Sequence, residues 1–123
     1  MKKEEIGVAL EAVTLTDCGS EPAGGYETVC SCDLMSDLLA IMNEAPCDSH
    51  ATILLTGLTN PQVIRTCEMV DIRLIVFLRG RQPTNEMVEL AGECGITIMC
   101  SPHTMFKGSG ILHSLQMKDV HYK

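Results

Sequence analysis

The sequence predicts an α/β domain of three layers, α/β/α, built on a mainly parallel sheet of four to five strands. Three observations predict it. Between His50 and Leu115, short apolar runs alternate with amphipathic runs of helical period, the signature of successive βαβ units. The apolar runs lack the in–out alternation of a half-wet strand, so they suit strands covered on both faces. The joins between runs carry helix-start residues.

In chain order, Lys3 to Leu10 reads as a short helix and Ala12 to Thr16 as a strand, followed by a loop from Cys18 to Gly25 dense in turn residues. Tyr26 to Cys32 alternates as a strand. Asp33 then serves as the N-cap of a helix whose stripe is Leu34, Leu38, Ile41 and Met42 and which stops before Pro46. Asn43 to Ser49 is a polar connection. Thr52 to Leu55, Leu74 to Leu78 and Thr97 to Cys100 are the three buried strands. Asn60 and Pro61 make an N-cap and N1 pair for a helix carrying Val63, Ile64, Cys67 and Val70 on one face and ending at Asp71. Pro83 and Thr84 open the next helix, with Met87, Leu90, Ala91 and Cys94 as its stripe and Gly95 as its left-handed end. The last helix starts between Ser101 and Thr104 and uses Met105, Phe106 and Leu112. Its Gly108 and Gly110 each cost about 1 kcal/mol relative to alanine, so packing must hold it. One domain spans 1–123, with an irregular part (1–25), a core (26–116) and a tail (117–123).

At 123 residues the chain is long enough for one core and too short for two. A net charge of −7, with no cluster of Lys or Arg, excludes a nucleic-acid surface, which needs several cations on one face. No apolar run approaches the roughly eighteen residues of a membrane span, and no signal-peptide core follows the charged start, so the expected location is cytoplasmic. A mean hydropathy of +0.16 is high for a free monomer of this size and points to a buried oligomer interface. The seven cysteines form no CxxC pair and mostly fall inside apolar runs, as reduced core thiols do.

In an open parallel sheet the strand-to-helix loops all emerge at the carboxyl edge, where helix N-termini also point. Those loops hold Ser31, Asp33 and Ser36; Thr56, Gly57, Thr59 and Asn60; Arg79, Gly80 and Arg81; and Ser101 and Thr104. Free amide groups at helix starts attract anions, and Gly57 and Gly80 would let a ligand approach the backbone. Arg79 and Arg81 stand out in an acidic chain, and Arg65 lies about a turn into its helix. These thirteen residues are the expected ligand-binding set, for a small anion or a nucleotide. The plainer reading is that Thr59 and Asn60 only cap a helix, that Arg79 and Arg81 only solvate a loop, and that Ser31, Asp33, Ser36 and Asp37 are capping or surface residues.

No phosphate loop, dinucleotide fingerprint, zinc-protease motif or esterase elbow occurs, so no catalytic residue and no cofactor is expected. Cys30 and Cys32 share a strand face and, with His50 or His103, are the candidate metal ligands; two packed thiols are the alternative. His113 and His121 carry no signal.

The runs Cys32 to Leu39, Leu54 to Thr66, Ile75 to Gly80 and Thr104 to Phe106 resemble the small stand-alone DRTGG-domain proteins of anaerobic bacteria. The likeness covers nearly everything after Gly24, and the Thr56-Gly57-Leu58-Thr59-Asn60-Pro61 loop is its most specific part, although the pentapeptide of the family name is absent. The Gly19 to Gly25 loop and the Asn43 to His50 connection depart from it. The resemblance implies a three-layer unit similar to the N-terminal domain of HPr kinase/phosphatase, of a kind that recurs in phosphotransacetylases and CBS-domain pyrophosphatases. It implies regulation rather than catalysis, a dimer, and a setting in anaerobic energy or redox metabolism. The expected function is thus a regulatory module binding a small anionic ligand. The alternative is a non-catalytic scaffold for a redox enzyme such as an iron-only hydrogenase system.

Overall fold

The computed structural model describes residues 1–120. In chain order it contains α1 (Lys3–Ala9), β1 (Val13–Thr16), β2 (Thr28–Ser31), α2 (Met35–Glu44), a 3₁₀ turn (Ser49–Ala51), β3 (Thr52–Thr56), α3 (Pro61–Val70), β4 (Leu74–Phe77), α4 (Asn85–Cys94), β5 (Thr97–Cys100), α5 (Met105–Ser114) and β6 (Lys118–Asp119). The sheet order is β1-β5-β4-β3-β2-β6. β2 through β5 are parallel neighbours, β6 joins β2 in parallel, and β1 closes the other edge antiparallel to β5. Among the described residues the sheet therefore has six strands, more than the four to five expected, because Lys118–Asp119 adds a two-residue strand in the segment read as a tail. The remainder of that tail, 121–123, lies outside the described residues.

Strands β2 to β5 step across the sheet in one direction, so crossovers of one hand place α2, α3 and α4 together on one face. The chain then returns from β5 to the far edge, and α5 joins α1 on the other face. Two cores result. Leu54, Ile75, Phe77 and Ile98 project towards α2, α3 and α4, while Ile53, Leu55, Leu74, Val76 and Leu78 project towards α1 and α5. Cover on both faces is why these strands are continuously apolar.

The helix ends follow their sequence chemistry. The side chains of Asn60, Thr84 and Thr104 accept hydrogen bonds from the amides of Val63, Met87 and Lys107 at 3.2–3.3 Å. Asp71 and Gly95 close α3 and α4 in left-handed conformations, φ 65° and 71°. Two assignments differ from expectation. Leu34, not Asp33, is the N-cap position of α2, because the Asp33 carboxylate is engaged in another loop. Leu34 is accordingly 57% exposed and outside the buried stripe, and Phe106 is 90% exposed. On α5 the inward positions are Met105, Gly108 and Leu112, a step of three and four, so Phe106 is turned out. At Gly108 a Cβ would touch Leu78 at 3.5 Å and Leu55 at 3.7 Å, which is ordinary contact and shows how closely this helix lies on the sheet.

Candidate functional site

Because β2 to β5 are parallel, their four following loops share the carboxyl edge. Two of the joints between them are direct. The Asp33 carboxylate, from the loop after β2, accepts the Gly57 amide at 2.7 Å and the Thr56 hydroxyl at 3.2 Å in the loop after β3. The backbone amides of Arg79 and Gly80, after β4, donate to the carbonyls of His103 and Ser101, after β5, at 2.8 and 2.9 Å.

Arg79 sits over the join between β3 and α3. Its guanidinium makes one long hydrogen bond, 3.5 Å, to the Gly57 carbonyl. A Cβ on residue 57 would lie 2.5 Å from Arg79 Nη2, so glycine at 57 makes room for the arginine. Arg79 itself has φ 60°, followed by Gly80 at φ 68°. A left-handed backbone costs a non-glycine residue about 1–2 kcal/mol, and such outliers concentrate at functional positions. Planar, with five donors and a single long internal bond, this guanidinium is available to an incoming oxyanion.

The chain already holds one anion at this edge, since the Asp33 carboxylate occupies the Gly57 amide. A ligand's negative end therefore belongs further out, among Arg79, Thr59 and Asn60. Thr59 bonds back to the Gly57 carbonyl at 3.4 Å, and the Asn60 side chain is committed to its cap. Pro61 has no amide to offer, and Arg79 is the cation that lies over this joint.

The remaining expected residues are more dispersed. Arg81 is exposed on the same loop as Arg79, and Thr104 is exposed with its oxygen on the Lys107 amide. Ser36 lies exposed in the first turn of α2. Arg65 pairs with Glu68 at 3.6 Å on the exposed side of α3. Ser101 is turned inward. Its hydroxyl donates to the Leu10 carbonyl at 2.6 Å and accepts the His103 amide at 3.2 Å, tying α1 to the start of α5. Ser101→Ala strands a buried carbonyl, so urea unfolding should show a loss of about 1–3 kcal/mol with ligand affinity unchanged.

His103 Nε2 is buried and lies 3.3 Å from the Glu11 carboxylate without hydrogen-bond geometry, a contact that is an ion pair only when the ring is protonated. Cys30 and Cys32 do share a face, both packing towards the α2, α3 and α4 layer, and the Cys32 thiol donates to the Leu34 carbonyl at 3.7 Å. Hydrogen bonding to Cys32 together with burial pushes the Cys30 thiol up, while hydrogen bonding from Cys30 holds Cys32 below its ordinary value against the opposing effect of burial. Burial also pushes the Cys67 thiol up. Among the described residues no group of three metal-ligating side chains converges, and His50 instead pairs with Asp71 at 3.3 Å.

One constellation was not foreseen. Ser31, expected at the rim, bonds through its hydroxyl to that of Ser109 at 2.7 Å. Both line a cleft of about 250 Å³ with His113 and Asp119. Spacing of four on α5 was the available signal for Ser109 and His113, but it identifies a shared helix face and not what that face meets.

Parallel βαβ units with helices on both faces make this a three-layer α/β/α domain, a class whose ligands bind at the carboxyl edge of the sheet. Its fold matches that of the crystal structure of the CBS and DRTGG domains of the regulatory region of Clostridium perfringens pyrophosphatase, complexed with the activator diadenosine tetraphosphate, with a TM-score of 0.69 over 90% of this chain. Identity is 19%, and the chain spans 45% of that structure, so the likeness is one of fold. No family model and no curated protein matches the sequence. Among the described residues no helix is long and apolar enough to cross a membrane.

Proposed function

We propose that this chain is a DRTGG-like regulatory module that binds a small anionic ligand, a nucleotide by preference, at the carboxyl edge of its sheet. Arg79, Thr59 and Asn60 receive the anion, while Asp33 and Gly57 shape the loop beneath it. The observation that carries this reading is Arg79, an arginine in a left-handed backbone laid over a glycine whose missing Cβ makes the space. The shared fold with a regulatory region that was crystallised with a nucleotide activator supports the same reading. The module acts by binding and not by catalysis.

The test is a thermal-shift screen of nucleotides and inorganic phosphates on the wild type and on Arg79→Gly. A ligand at a hundred times its Kd stabilises the fold by about 2.7 kcal/mol. Arg79→Gly should abolish that shift while leaving the unliganded protein as stable as before or slightly more so, because the backbone strain is relieved. A wild type that responds to none of these compounds contradicts the reading.

A second reading is favoured by the apolar side chains at the same rim. Leu34 and Phe106 are 57% and 90% exposed there, as anchors of a protein contact are before docking. In this reading the module docks onto a partner enzyme of redox metabolism, and Phe106→Ala would weaken co-purification without changing any nucleotide response.

A further inference from the structure

The cleft beside β2 opens on the sheet face that carries α1 and α5. Its volume, about 250 Å³, falls below the roughly 300–1,000 Å³ of pockets for drug-sized ligands. It accommodates one planar ring system and little more. Val29 and Met117 supply apolar wall. The Ser31 and Ser109 hydroxyls bond to each other, which uses one proton and leaves the other free to be donated outward. Asp119 is in register with Val29, so its carboxylate projects from the same face of the sheet. His113 stands one helical turn beyond Ser109.

Lys118 also lines the cleft, and the Asp119 carboxylate beside it suits an exocyclic amine, while the spare serine proton suits a ring nitrogen. We propose that this cleft binds the aminated heterocycle of a nucleotide whose phosphates lie at Arg79. The inference rests on the anion-binding reading of the rim. Ser31 ends β2 and Arg79 follows β4, a lateral offset of two strand spacings, about 10 Å, which lies within the reach of a nucleoside triphosphate.

Calorimetric titration of the full chain with adenosine triphosphate and with inorganic tripolyphosphate tests it. The wild type should prefer the nucleotide by about ten-fold, the worth of one or two well-made hydrogen bonds. Ser109→Leu, which fills the cleft, and Asp119→Ala, which removes the acceptor, should each erase most of that preference and leave tripolyphosphate affinity unchanged. Equal wild-type affinity for the two compounds overturns the cleft assignment while the rim reading stands. So does a preference that survives both variants. Binding of neither compound removes the rim reading and the cleft with it. Circular dichroism melting of both variants shows whether the fold is kept, and Asp119→Ala decides the matter if Ser109→Leu unfolds.

Discussion

Truncating Phe77 to alanine should destabilise the chain by about 3–5 kcal/mol, the largest loss expected of any single substitution discussed for this protein. Phe77 is fully buried at the end of β4, in register with Thr56 on one side and Cys100 on the other. Its ring faces the α2, α3 and α4 layer, so its removal leaves a cavity between layers that neither sheet nor helices can close without breaking register. Urea unfolding should show a lower midpoint at nearly constant slope. Phe77→Leu should recover most of the loss, since about 1.5 kcal/mol or less separates large apolar side chains in a tolerant core. A loss under about 1 kcal/mol for the alanine variant would mean that β4 is not the centre of the sheet.

The second large effect concerns Asp33. Its alanine variant removes the acceptor for the buried Gly57 amide and for the Thr56 hydroxyl, so unfolding free energy should fall by about 2 kcal/mol, the cost of losing hydrogen bonds to a charged acceptor. Asp33→Asn keeps an oxygen in place and should cost less. Binding should move the other way. Without the carboxylate, the Gly57 amide is free and the local negative charge is gone, so inorganic phosphate should stabilise Asp33→Ala more than it stabilises the wild type. Differential scanning calorimetry with and without phosphate reads both quantities. A variant as stable as the wild type would show that the Asp33 bridge contributes nothing to the loop.

Much of this architecture was legible in the sequence because the governing forces are local. Asn60-Pro61 and Thr84 started helices where expected, and Gly95 ended one, since caps depend on a few neighbouring atoms. The buried strands announced themselves through unbroken apolar runs. What failed depended on distant residues. Asp33 has the composition of a cap, but the amide of Gly57, twenty-four positions away, recruits its carboxylate. Phe106 looked like part of an apolar stripe because the true inward position, Gly108, is a glycine and breaks the visible period. β6 is two polar residues, Lys118 and Asp119, held by pairing with β2 and by no pattern of their own.

The candidate site was legible in outline and not in detail. Parallel topology placed its loops on one edge, yet nothing in the residue types distinguished Arg79, in its left-handed backbone, from Arg65, which is paired on the exposed side of α3. Ser101 matched the composition of a ligand contact and instead fastens α1 to the β5 loop. A hydroxyl's partner is a matter of tertiary geometry, and Ser31 shows the same point by meeting Ser109 across seventy-eight positions.

The most direct test of the central claim is an amide-resolved NMR titration of the wild type and Arg79→Gly with adenosine triphosphate. Wild-type shift changes are expected to concentrate at Asp33, Gly57 to Asn60 and Arg79 to Arg81, and to be largely absent from the variant. Saturable changes centred anywhere else on the molecule, or identical changes in the two proteins, would contradict it.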